Sequence, residues 1–208
     1  GFGTLLPEVS FTTDYGAFLR SLGLQAEQID ASLAVLEGLP VPPVVFLVGQ
    51  GLVAGLTINA VAALGEELGW RGLLLRELSP LGFWRLSLLT GVVWGIWHAP
   101  LILQGHNFPD APVAGVAVMT GWTVAASPLF TYLTVRAGSV LAATLLHGSF
   151  NAVTSLSLVY LTGAGTLLVG PVGIAGIGAA LLATAACVVH DQYVAADRVT
   201  AGRPLESW

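Results

Sequence analysis

PPVVFLVGQGLVAGLTINAVAALGEELGWR, residues 42–71, decides the fold. Its first part, Pro42–Leu64, carries no charged residue, and about 20 apolar residues suffice for a helix to cross a bilayer. The run then passes into Gly65-Glu66-Glu67-Leu68-Gly69-Trp70-Arg71, which holds two carboxylates and a guanidinium. Ionisable groups are costly inside a membrane, so where they occur they mark a functional site.

Four more apolar windows follow: Leu86–Leu103, Val113–Val135, Val140–Leu161 and Leu167–Val189. Their connections are Gly65–Arg85, Gln104–Pro112, Arg136–Ser139 and Thr162–Thr166. The expectation is an all-α polytopic transmembrane helix bundle of about five spanning helices around a polar cavity. Composition agrees. The 208 residues are 55% hydrophobic and 9% charged, with a mean hydropathy of +0.82, against about 25% charged in soluble domains. Membrane lipid is therefore the expected surroundings. A net charge of −5 with no lysine and no basic cluster excludes nucleic acid as a partner. Cys187 is the single cysteine, so no disulfide closes within the chain.

Three segments emerge: residues 1–39, 40–190 and 191–208. The first holds Glu8, Asp14, Glu27, Asp30 and Glu37 against Arg20, and Asp14–Arg20 and Ala26–Leu36 read as short amphipathic helices. It is expected to be an extracytoplasmic or interfacial segment without chemistry. A chain that begins at Gly1 rather than Met reads as a fragment or processed product, with helices missing upstream. Arg71, Arg76 and Arg85 follow the first window, Arg136 the third, and Arg198 and Arg203 the fifth. The positive-inside rule puts these, and the tail 191–208, in the cytoplasm. The N-terminal segment and the His106-Asn107 loop then lie outside. Abundant Ala, Gly, Leu and Val without lysine fits a GC-rich bacterial genome, and hence a bacterial cytoplasmic membrane.

Chemistry concentrates in three polar islands. Glu67 and Arg71, four apart, can pair on one helix face, while Glu66 points about 100° away and stays free to face the other spans. Trp94 and His98 share a face of the second window, and Pro100 predicts a kink near that histidine. His147 and Asn151 repeat the spacing on the fourth window. A partly desolvated Glu66 could take a proton from water and return it to a leaving group. The histidines could share the water or bind an oxyanion, and the Asn151 amide could donate to developing negative charge. His106 and His190 read as non-catalytic by position.

Glu66-Glu67-x-x-x-Arg71 resembles the EExxxR signature of the CAAX protease and bacteriocin-processing family of intramembrane proteases. Trp94-x-x-x-His98 resembles that family's FxxxH motif, with Trp for Phe, and His147-x-x-x-Asn151 its HxxxN motif. The resemblance implies an intramembrane endopeptidase acting on a membrane-associated peptide or protein. It assigns Glu66 and His98 to the water and His147 and Asn151 to the oxyanion, with Glu67, Arg71 and Trp94 in support. No cofactor is required on this reading. The alternative is a zinc enzyme with Glu66, His98 and His147 as ligands. Further alternatives are a non-catalytic bacteriocin-immunity or scaffold protein, and an ion-coupled transporter.

Geometry adds its own demands. The motifs meet only if the first helix continues past Leu64 through the glutamates, with Gly65 and Gly69 allowing close packing, and the cavity is expected to open to the cytoplasm. Gly51/Gly55 and Gly91/Gly95 read as close helix contacts.

Overall fold

The computed structural model describes residues 9–154, 156–201 and 205; Glu8 and Arg203 lie outside the described residues. The N-terminal segment forms β1 (Ser10–Phe11), α1 (Tyr15–Ser21) and α2 (Ala26–Glu37). Asp14 caps α1 by accepting from the Ala17 N–H at 2.9 Å, as a short carboxylate does at a helix start.

The decisive stretch folds as α3 (Pro43–Leu56) and α4 (Ile58–Glu67). Pro43 suits the first helical turn, where its missing N–H costs nothing. Thr57 breaks the run: its φ and ψ of −120° and −94° are non-helical, and its hydroxyl donates back to the Val53 carbonyl at 2.6 Å. The two helices meet at a 46° bend. Beyond Glu67 the chain continues through a π-helical turn (Leu68–Leu74), α5 (Leu75–Leu78) and a 3-10 turn (Ser79–Leu81). The helix therefore does run past Leu64 through the glutamate pair.

Next come α6 (Phe83–Trp97), α7 (Ala99–Ile102), α8 (Pro112–Ala137), α9 (Val140–Val153) and α10 (Leu156–Tyr160). β2 (Leu161–Thr162), α11 (Thr166–Val169) and α12 (Ile174–Tyr193) complete the order. The break between α6 and α7 falls on His98, two residues before Pro100, where the kink was expected. β1 and β2 pair antiparallel, Ser10 opposite Thr162 and Phe11 opposite Leu161.

The span count needs correction. Among the described residues, α8 and the run Thr166–Tyr193 are long and apolar enough to cross a membrane, and the bent α3–α4 pair makes a third candidate. α6 and α9 have 15 and 14 residues. Pro100 interrupts the second window, and the fourth ends at Val153 before a short helix and strand.

α8 is the axis: α6 and α12 pack on it, and α9 packs against α3, α4 and α8. Glycines set these distances. A Cβ on Gly55 would lie 2.6 Å from the Ser149 Cα, and one on Gly91 2.7 Å from the Val124 Cα. Gly65 and Gly69 behave otherwise. An added Cβ there meets nothing within 4 Å, so their expected close packing is absent: both sit on the outer side of the helix.

The connections gather at two ends. At the arginine end, Arg136 bonds Asp191, which also accepts from the Thr200 N–H and hydroxyl at 2.8 and 2.6 Å. Trp84 donates to the Thr200 carbonyl at 3.1 Å. At the opposite end the β1–β2 pair and the Tyr15–Tyr160 hydroxyl contact (3.3 Å) tie the N-terminal segment down.

Gly55→Ala should destabilise the bundle by about 1–3 kcal/mol, the usual cost of overpacking, whereas Gly65→Ala and Gly69→Ala should be neutral or stabilising, since alanine is the better helix former. Thermal unfolding of the three variants in one detergent measures the difference.

Candidate active site

The two adjacent glutamates separate as their 100° offset requires. Glu67 points into the bundle and is fully buried, as is Arg71 (both 0% exposed). Arg71 Nη1 donates to both Glu67 oxygens at 3.2 Å, and its Nη2 reaches the Ser127 hydroxyl of α8 at 3.4 Å. The guanidinium lies between two rings, 4.7 Å from the Trp94 centroid and 4.6 Å from that of Phe130. Aromatic faces attract a desolvated cation, so the pair is held by α6 and α8 as well as by its own turn.

His147 joins this network from α9, with Nδ1 2.8 Å from Glu67 Oε1. An ionised carboxylate only accepts, so Nδ1 carries the proton and Nε2 remains for other work. The ring also meets Trp94 and Phe130, centroids 5.5 and 5.9 Å away.

Glu66 is half-buried. Trp94 Nε1 donates to its Oε2 at 3.2 Å, and its other oxygen has no hydrogen-bond partner among the described residues. His98 places Nδ1 2.8 Å from the Trp94 carbonyl. A carbonyl accepts, so Nδ1 is the protonated nitrogen and the Nε2 lone pair is left to accept from water. Trp94 thus positions both groups, one through its indole and one through its backbone. The aromatic residue expected merely to stand beside the histidine holds the motifs together.

A partly open cavity of about 430 Å³ is lined by Glu66, His98, His147 and Asn151 together with Trp94, Trp122 and Phe150. The four residues expected to meet do meet. Asn151 is exposed there, and its side-chain amide has no hydrogen-bond partner among the described residues. The arrangement offers a carboxylate, a lone pair for water and an amide donor facing one volume, which suits hydrolysis.

Several participants were not read from the sequence. Ser127 and Phe130 come from α8, which carries no motif. The signal available was the buried hydroxyl stripe Thr123, Ser127, Thr131 and Thr134, spaced as one helix face. His106 and Asn107, read as a bland loop, also line the cavity. With Thr166 beside them, the cavity reaches towards the arginine-free end. A cytoplasmic opening is thus incompatible with placing the arginines in the cytoplasm; the two expectations cannot both hold.

Among the described residues no three His, Cys, Asp or Glu side chains are grouped to hold a metal ion. The hydrogen bonds at Nδ1 of His98 and of His147 leave Nε2 of each ring facing the cavity.

The sequence profile of the Rce1-like family, described as type II CAAX prenyl endopeptidase, matches residues 48–153, about half of the chain and all three islands. CAAX prenyl protease 2 of Methanococcus maripaludis is 41% identical over 49 residues, 23% of this chain and 18% of that protein. The chain thus spans well under two thirds of this relative's length. No solved structure matches.

Arg71→Met should cost about 3–5 kcal/mol, because it strands a buried carboxylate. Adding Glu67→Gln should recover part of that loss. Denaturation midpoints of the single and double variants decide it, and equal losses would show that the pair carries no mutual stabilisation.

Proposed function

The chain belongs to the Rce1-like family of membrane endopeptidases, and on that premise we propose that it hydrolyses a peptide bond of a membrane-associated peptide or protein through a water activated by Glu66. The observation that carries the reading is the shared cavity of Glu66, His98, His147 and Asn151.

Glu66 takes one proton from water while His98 Nε2 accepts a hydrogen bond from the other, fixing the oxygen for attack. The carbonyl carbon gains the hydroxide and its oxygen becomes an oxyanion. The Asn151 amide N–H donates to that oxygen, and such a donor contributes about 10²–10³ in rate. His147 can add an Nε2–H only as the doubly protonated ring, because its Nδ1–H is held by Glu67. Glu66 then passes its proton to the departing amine as the C–N bond breaks. Glu67, Arg71, Trp94 and Phe130 touch no reacting atom; they position those that do.

The arginine end, with the C-terminus, is assigned to the cytoplasm by the positive-inside rule, which turns the cavity towards the other face of a bacterial membrane. A cysteine at Asn107 in intact cells, with Cys187 replaced by serine, should then react with a membrane-impermeant maleimide; labelling only after lysis would reverse the orientation.

Peptides that accumulate in parent cells and not in cells carrying Glu66→Gln identify the substrate. On that substrate, purified Glu66→Gln and His98→Ala should lose at least about 100-fold in kcat with thermal stability kept. Parent-like cleavage by either variant refutes the assignment. A scaffold or immunity protein would tolerate the near-isosteric Glu66→Gln in a cellular assay, so a loss of function there excludes it.

A further inference from the structure

A peptide bond can be cut only where the chain is extended, and an extended segment leaves its backbone N–H and C=O groups without helical partners. In a cavity within a membrane protein such groups pair with the protein or with the water that the cavity admits, and only protein partners fix the position of the segment. Several of the cavity's polar groups are already engaged. Glu66 accepts from Trp94, His98 donates to the Trp94 carbonyl, His147 donates to Glu67, and the Thr154 hydroxyl donates to the Phe150 carbonyl. Asn151 is assigned to the oxyanion. Beside the Thr166 hydroxyl and the indoles of Trp97 and Trp122, His106 and Asn107 remain, each with a donor and an acceptor on one side chain. Both are exposed, both line the cavity, and neither side chain has a hydrogen-bond partner among the described residues.

The turn that carries them is firmly held. The His106 N–H donates to the Leu101 carbonyl at 3.2 Å, and the His106 carbonyl accepts from the Phe108 N–H at 2.8 Å. Phe108 is fully buried against Gly115, where a Cβ would lie 2.6 Å from its side chain. Asn107 takes a left-handed φ of 62°, a conformation that Asn tolerates and most residues resist. An anchored loop therefore presents two unengaged amphoteric side chains to the space in front of Glu66.

We infer that His106 and Asn107 form a backbone-reading subsite that holds an extended peptide across the cavity with its scissile carbonyl turned to Glu66. The inference rests on the proposed peptidase reading. It predicts tolerance of substrate side chains at the positions held, because the recognition is of main chain. Neither residue enters the bond-breaking step.

The probe is a fluorescent twelve-residue Leu–Ser peptide with both ends blocked, and the same peptide N-methylated at alternate backbone nitrogens. Binding is measured to the full chain carrying Glu66→Gln in nanodiscs, against empty nanodiscs, so that turnover plays no part. The unmethylated peptide should bind, and methylation should weaken it about tenfold, the equivalent of one good hydrogen bond. In a protein that also carries His106→Ala and Asn107→Gly, where glycine keeps the left-handed turn, the unmethylated peptide should bind about tenfold more weakly and methylation should cost nothing further. Absence of binding to the Glu66→Gln protein, binding indifferent to methylation, or unchanged binding to the triple variant each overturns the subsite. If Glu66→Gln abolishes cleavage while the subsite fails here, only this inference falls. If Glu66→Gln cleaves like the parent, the catalytic reading falls and the binding result still stands by itself.

Discussion

A carboxylate and a guanidinium buried together in a low-dielectric bundle are stable only while they face each other, and the rest of this molecule is arranged around that requirement. Separating Glu67 from Arg71 would leave an uncompensated charge where water cannot reach. The pair is therefore enclosed from every side. α8 contributes the Ser127 hydroxyl and one aromatic face, α6 contributes Trp94, and α9 contributes the His147 imidazole. Each contact serves the ion pair locally and joins a different helix to it globally.

This arrangement explains why the bundle must be tight. His147 reaches Glu67 only because α9 lies against α3 and α4 at a spacing set by Gly55. α6 can press Trp94 onto Arg71 only because Gly91 lets it approach α8. Glycine contacts and the buried pair are thus one system: small residues bring helices close, and the charge network gives them a single register. The same geometry sends Glu66 outward to the cavity while its neighbour stays inside. One residue of offset on a helix divides a structural carboxylate from a reactive one.

The islands and their internal spacings were legible because i,i+4 pairing on a helix is a local property. Glu67–Arg71, Trp94–His98 and His147–Asn151 each act as their spacing required. The continuation past Leu64 was legible too, as a geometric demand. The bend at Thr57 was not, since a threonine in an apolar run is equally consistent with a straight helix; its back-bonded hydroxyl and non-helical dihedrals are set by how α3 and α4 pack on α9. The π-helical turn after Glu67 left no mark in the residue pattern. Gly65 and Gly69 misled, because glycine spacing identifies a smooth face without saying what lies against it.

The residues by themselves determined that the chain is helical and membrane-embedded, since so few charges cannot dress a soluble surface. They also determined which side chains could do chemistry, since ionisable groups persist in apolar segments only for a reason. Only the tertiary structure decided who meets whom. It placed Trp94 against both Glu66 and Arg71, recruited Ser127 and Phe130 from a helix without a motif, and brought the His106-Asn107 turn to the mouth of the site. Local spacing reaches one helical turn, whereas these contacts join side chains far apart in the chain, and their distances follow from how closely whole helices can pack.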